Sequence, residues 1–120
     1  MAIHNQTGKE GELRAKTYLE TNGYTVLQVN WQCGHYEVDI IAQQGNILVF
    51  CEVKCRTSSS FGEPEIFVTK QKQKNIIKAA ESYSKYKQWQ GEIRFDIISV
   101  LLNNKEVKIN HIPDAFGCVW

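Results

Sequence analysis

Five stretches of this chain alternate apolar and polar positions with a period of two, and two others carry a helical period. YTVLQVNW (24–31), residues 36–42, residues 47–56, EIRFDIISVLL (92–102) and EVKINHI (106–112) are rich in β-branched and aromatic residues and predict strands. A helix is expected over 9–21, with Thr7 and Glu10 as a capping box, Gly8 and Gly11 as opening punctuation and Gly23 as the stop. A second helix is expected over 69–89, with Ile76, Ile77, Ala80 and Tyr83 on one face. TSSSFGEP, after Arg56, reads as a loop, and Asn103–Asn104 as a turn. The order αβββαββ predicts an α/β fold in which a sheet is flanked by helices.

Charged residues interrupt two of these strands. Side chains alternate along a strand, so Ile47, Val49, Cys51, Val53 and Cys55 share one face of the third strand, while Glu52 and Lys54 take the other. On the second strand Tyr36, Val38 and Ile40 oppose Glu37 and Asp39. A two-residue turn at Gly45–Asn46 pairs Gln44 with Ile47, and therefore Asp39 with Glu52 and Glu37 with Lys54. Opposed carboxylates have Cβ atoms about 5 Å apart and repel each other unless a cation lies between them. Lys54 alone would make an ion-pair cluster. Two hard oxygen donors, with water and a substrate phosphate completing the shell, suit Mg²⁺ or Mn²⁺, and Lys54 would then orient the attacking water. Three acids and a lysine exceed what one structural pair requires, which favours the metal site.

With 120 residues, 42% hydrophobic and 22% charged, the chain suits one domain spanning 1–120. MAIHNQTGKE lacks the features of a signal peptide, and no apolar run is long enough to cross a bilayer, so a cytoplasmic protein without a membrane partner is expected. The four cysteines do not form a secreted-style disulfide framework. Zinc on Cys33, His35, Cys51 and Cys55 fails on geometry, because Cα atoms four residues apart on a strand are about 13 Å apart. Cys51 and Cys55 read as small buried hydrophobes. The net charge of +1 hides an asymmetry: residues 54–87 hold eight Lys or Arg against three Glu, leaving six basic and ten acidic residues elsewhere. A local contact with a polyanion is thus compatible with a nearly neutral whole.

Asp39, twelve intervening residues and then Glu52-Val53-Lys54 resemble the PD-(D/E)xK signature of restriction-endonuclease-like nucleases, whose αβββαβ core matches the predicted order. GKEGELRAKTYLETNGYTVLQVNW, YEVDIIA, VFCEVKCR, FG, RFDIISV and HIPDAF together resemble the YraN family (uncharacterised protein family 0102) over essentially the whole chain. That resemblance implies a restriction-endonuclease-like core with a central mixed sheet, and nucleic-acid binding or nucleolytic activity. It implies Asp39 and Glu52 as metal ligands, a backbone carbonyl from Val53, Lys54 as the catalytic lysine and Glu12 as an added helix acid. The family has Gly where Tyr36 stands and Val where Cys51 stands; both positions are expected on the face away from the acids.

Without the resemblance, Glu12 reads equally as a first-turn acid favoured by the helix dipole. Glu37 is a third ligand or the counter-ion of Lys54, with a supporting role preferred. Arg94 and Asp96 are expected to form an ion pair at a sheet edge, and His35 and His111 show no partner pattern. Lys70, Lys72 and Lys74 open the second helix at the wrong end for its dipole, which suits a bound phosphate or else a solvated face. Lys70 is expected on the inward face, and Arg56 is a further phosphate contact. The sequence therefore predicts a Mg²⁺-dependent nuclease acting on nucleic acid, DNA in the first instance. A non-catalytic nucleic-acid-binding module and a protein-interaction domain stand as alternatives, and a homodimer is compatible with the fold's junction-cutting members.

Overall fold

The computed structural model describes residues 2–57, 68–103 and 106–117, with side chains from residue 8. Helix α1 (Ala2–Thr21) precedes a three-stranded meander of β1 (Thr25–Cys33), β2 (Tyr36–Gln44) and β3 (Ile47–Arg56). Helix α2 (Lys70–Lys87) then crosses to β4 (Glu92–Leu102), which runs into β5 (Val107–Phe116). The sheet has the order β1-β2-β3-β4-β5, with β3 and β4 parallel and the other neighbours antiparallel. A mixed sheet carrying one parallel step across a helix is compatible with the expected αβββαβ core.

The two helices cover opposite faces. Ala15 and Leu19 of α1 pack on Ile40, Ala42, Val49, Cys51, Ile98 and Val100. Ile76, Ala79, Ala80 and Tyr83 of α2 pack on Val38, Ile41, Leu48, Phe50 and Phe95. Cys51 is buried, as expected, whereas Cys55, expected to be buried too, is partly exposed at the margin of the same core, and Cys118 lies outside the described residues. The Gly45–Asn46 turn pairs Gln44 with Ile47, the predicted register.

Several boundaries differ from expectation. Helix α1 begins at Ala2, so Thr7 lies inside it and is not its cap. Gly11 is also internal, and its lack of a side chain makes room for Cys55, whose Sγ would stand 2.5 Å from any Cβ placed there. Gly23 does end the helix, at φ +89°, with the Tyr24 amide donating to the Leu19 carbonyl. Strand β5 continues to Phe116, beyond the predicted end at 112. Most of the TSSSFGEP loop, the FG motif within it and Asn104 lie outside the described residues.

Candidate active site

Asp39 sits where β2 reverses its faces. Val38 and Tyr36 pack with the α2 side, whereas Ile40 packs with the α1 side, although their parity is the same. The reversal coincides with a break in the β1–β2 ladder. Val29 pairs with Ile40 and Trp31 with Val38, and between them Asn30 adopts φ +53°. Strict alternation through residue 39 is therefore corrected, and Tyr36 lies on the same side as Glu52. The β2–β3 ladder runs as far as Ile40 with Cys51. At the next position Asp39 Oδ2 accepts a hydrogen bond from the Val53 amide at 2.8 Å, so a side chain takes over from the strand pairing. The predicted pairing of Glu37 with Lys54 is lost for that reason. Glu37 instead pairs with Gln32 of β1 and is exposed.

Glu52 faces the α2 side and is almost completely buried. Its Oε2 lies 3.5 Å from Lys72 Nζ of α2, and its Oε1 is buried with no backbone or cationic donor. Burial, and then the neighbouring Glu52 charge, push the Asp39 carboxyl up to about 7; a hydrogen bond shared with Glu52 adds to the rise, and the Val53 amide and the Lys72 ammonium oppose it. Two acids are thus forced together, bridged by a proton on Asp39 when no cation is present.

Glu12 projects from mid-helix, so the first-turn dipole reading no longer applies to it. It accepts a hydrogen bond from Asn30 Nδ2 at 2.9 Å. Burial raises its carboxyl, the Asn30 bond opposes that, and the charges of Asp39 and Glu37 add to the rise. Asn30 was not legible as a site residue; its only sequence signal is that Asn tolerates a left-handed backbone.

Lys54 shares the face of Glu52 two residues further along β3, but the ion pair to Glu52 comes from Lys72. Lys70 and Lys74 are exposed, and Arg56 is partly buried at the end of β3. The inward face of α2 runs through Lys72, Ile76, Ala79 and Tyr83, which replaces Lys70 with Lys72 as the lysine turned toward the sheet.

These donors fit a hard divalent cation. The buried Glu52 Oε1, which has no backbone or cationic donor, and the opposed Asp39 carboxylate supply anionic oxygen where Mg²⁺ or Mn²⁺ would bind. Among the described residues no group of three or more His, Cys, Asp or Glu is gathered for a metal, so Asp39 and Glu52 would be the side-chain ligands and the rest of the shell would stay open.

A second buried polar cluster lies on the α1 side. Asp96 is fully buried and accepts two bonds from Arg94, at 2.9 and 2.8 Å, and one from the Asp114 amide at 3.0 Å. His111 Nε2 stands 2.7 Å from Asp96, and its Nδ1 is 3.2 Å from the Tyr18 hydroxyl. Arg94 also donates to the Tyr24 hydroxyl at 2.7 Å. The Arg94–Asp96 pair forms as expected, but β4 is interior, so Asp96 is buried and Arg94 partly so, and the pair is not at a sheet edge. His111 was missed because its partner lies 15 positions away across a strand pair. His35 is exposed in the β1–β2 turn.

The motifs gathered by this geometry, EVD and CEVK at the acids and RFD with HIPDAF at the second cluster, run through most of the chain. The family model "Uncharacterised protein family UPF0102" matches residues 11–100. The chain belongs to this family. A UPF0102 protein of Bacteroides thetaiotaomicron is 45% identical over 116 residues, covering 97% of this chain and 96% of the relative. One from Flavobacterium psychrophilum is 47% identical over 116 residues, with 97% and 98% covered. One from Geobacter metallireducens is 43% identical over 122 residues, with both chains fully covered. The UPF0102 name carries no activity, so function rests on the chemistry of Asp39, Glu52 and the surrounding cations. Among the described residues no helix is long and apolar enough to cross a membrane.

Proposed function

We propose that the chain is a Mg²⁺- or Mn²⁺-dependent nuclease that hydrolyses phosphodiester bonds in DNA or structured nucleic acid. The observation that carries this reading is the pair of buried carboxyls, Asp39 against Glu52, in which Glu52 Oε1 has no backbone or cationic donor. Leaving a buried carboxylate oxygen without such a donor is costly, and a protein gains from such an arrangement when a cation is meant to arrive. Bound there, the ion would stabilise negative charge developing on the phosphate oxygens.

The chain's own residues would do the rest. The Val53 amide fixes the Asp39 carboxylate, and the Val53 carbonyl is a candidate further donor. Asn30 holds Glu12 beside the acids, as a supporting base or water-orienting group. Lys54, on the Glu52 face of β3, would orient the attacking water and balance charge in the transition state. The α2 amino terminus, with Lys70, Lys72 and Lys74, and Arg56 at the end of β3 would bear on backbone phosphates.

The test is cleavage of labelled duplex, branched and single-stranded DNA and RNA under Mg²⁺ and Mn²⁺. Wild type should cut at least one substrate, while Asp39→Asn and Glu52→Gln should lose both cleavage and metal uptake. Lys54→Ala should lose cleavage with nucleic-acid affinity held within a few-fold, because its contribution is confined to the transition state. Tight binding with no cleavage of any substrate would replace this reading with that of a non-catalytic nucleic-acid-binding module.

A further inference from the structure

Lys72 is attached in a way that leaves its charge free to move. It is the third residue of α2, and its amide donates to the Thr69 Oγ1 cap at 3.1 Å, which fixes the backbone at this point. Its side chain is 45% exposed, while the Glu52 side chain it meets is 8% exposed. The Nζ–Oε2 separation of 3.5 Å is longer than the roughly 2.7–2.9 Å of a charge-assisted hydrogen bond, so the pair is held by charge and not by directional bonding. The other Glu52 oxygen is buried with no basic side chain or amide bonded to it. One oxygen of the carboxylate is therefore met by a removable cation, and the other lies on the side shared with Asp39 without a fixed donor.

We infer that Lys72 is a positioning residue that neutralises Glu52 in the free protein and passes to a backbone phosphate when nucleic acid binds, so that divalent cation and nucleic acid bind cooperatively. This rests on the proposed nuclease reading. A cation entering between Asp39 and Glu52 meets the Lys72 ammonium already beside Glu52, and like charges at that range weaken each other's binding. A phosphate near the α2 terminus offers the ammonium another anion without moving the helix. Thr69 keeps the stem in place while the flexible four-carbon side chain redirects the charge. Lys70 and Lys74, exposed on other sides of the same turn, add attraction for phosphate without this exchange.

The experiment is calorimetric titration of Mn²⁺ into wild type and Lys72→Gln, alone and with a cleavage-resistant phosphorothioate duplex. Without DNA the variant should bind Mn²⁺ about five-fold more tightly. The tightening that DNA produces in wild type should shrink in the variant by a similar factor, since couplings of this kind typically span about 5- to 150-fold. In wild type the Lys72 side-chain nuclear resonance should shift on addition of Mg²⁺ without DNA. Equal Mn²⁺ affinity in both proteins, undiminished DNA coupling in the variant, or an unmoved Lys72 resonance would each overturn the role. If neither protein takes up Mn²⁺, the carboxylate-pair reading itself falls and this inference with it. Equal, measurable uptake removes only Lys72.

Discussion

Asp39 combines a strained charge state with a satisfied geometry, and the two can be separated by one substitution. Its carboxyl, raised to about 7, keeps a proton in the folded chain that an unfolded aspartate gives up near pH 4. The folded state thus binds more protons than the unfolded state between about pH 4 and 7, and stability falls as pH rises through that window. Asp39→Asn keeps an oxygen for the Val53 amide but removes the ionisation. In metal-free buffer the variant should be more stable than wild type at pH 8, on the order of 2 kcal/mol, with little advantage at pH 5. Chemical denaturation at both pH values checks this, and parallel pH profiles would refute it. Saturating Mn²⁺ at pH 8 should reverse the order by stabilising wild type alone, by about 2.7 kcal/mol at a hundred times the dissociation constant. That Asp39 and Glu52 come close was legible because the Gly45–Asn46 turn fixes the register as far as Ile40 with Cys51, although the two acids do not themselves pair in the ladder. Asn30 was not, since a left-handed residue inside a strand breaks the alternation that exposed the acids.

At the level of elements, the ends of α2 and the β4–β5 pair carry separate tests. Thr69 caps α2 at its amino end, while Gln88 closes the other end at φ +53° as the Trp89 amide donates to the Ser84 carbonyl. A side chain in that conformation costs about 1 kcal/mol, which glycine avoids. Gln88→Gly should therefore raise the melting temperature by about 4 °C; an unchanged or lower value would show that the Gln88 side chain compensates. Asp96 behaves oppositely to Asp39. Burial pulls its carboxyl up, but His111, Arg94 and the Asp114 amide outweigh this and leave it below the usual range. Its stabilising contribution is present above about pH 4 and is lost only as pH falls through that lowered value. Asp96→Ala leaves Arg94 without its carboxylate and should cost about 3–5 kcal/mol in denaturant unfolding at pH 7. A loss under 1 kcal/mol would mean that the cluster is dispensable. Element types and most strand limits followed from periodicity. The first turns of α1 did not, because the Gly8 and Gly11 signals overruled a helix that Gly11 in fact permits by making room for Cys55. Beyond the expected Arg94–Asp96 pair, the second cluster was hidden because Tyr18, Tyr24, His111 and Asp114 reach it only after α1, the turn that follows it, β4 and β5 assemble.

Across the whole molecule, the net charge of +1 conceals the excess of basic residues between 54 and 87, and α2 carries Lys70, Lys72 and Lys74 at the end where the dipole disfavours them, with Lys85 and Lys87 at the end where it favours them. No acid stands in the first turn of α2 to compensate. Under the proposed function a polyanion would supply the missing charge, and each phosphate contact would release about one counterion. Three lysines within five positions cannot all point the same way on a helix. All three are exposed, but Lys72 also reaches Glu52 with its ammonium, so their contributions should differ in kind. Replacing all three with Gln should reduce the slope of log K against log salt on duplex DNA by about one to two. Lys72→Gln alone should change the slope by at most about one, because its charge is drawn from an internal ion pair, while altering the dependence on Mn²⁺. An unchanged slope in the triple variant would show that these lysines form a solvated face and that phosphate contact lies elsewhere, with Arg56 the next residue to replace.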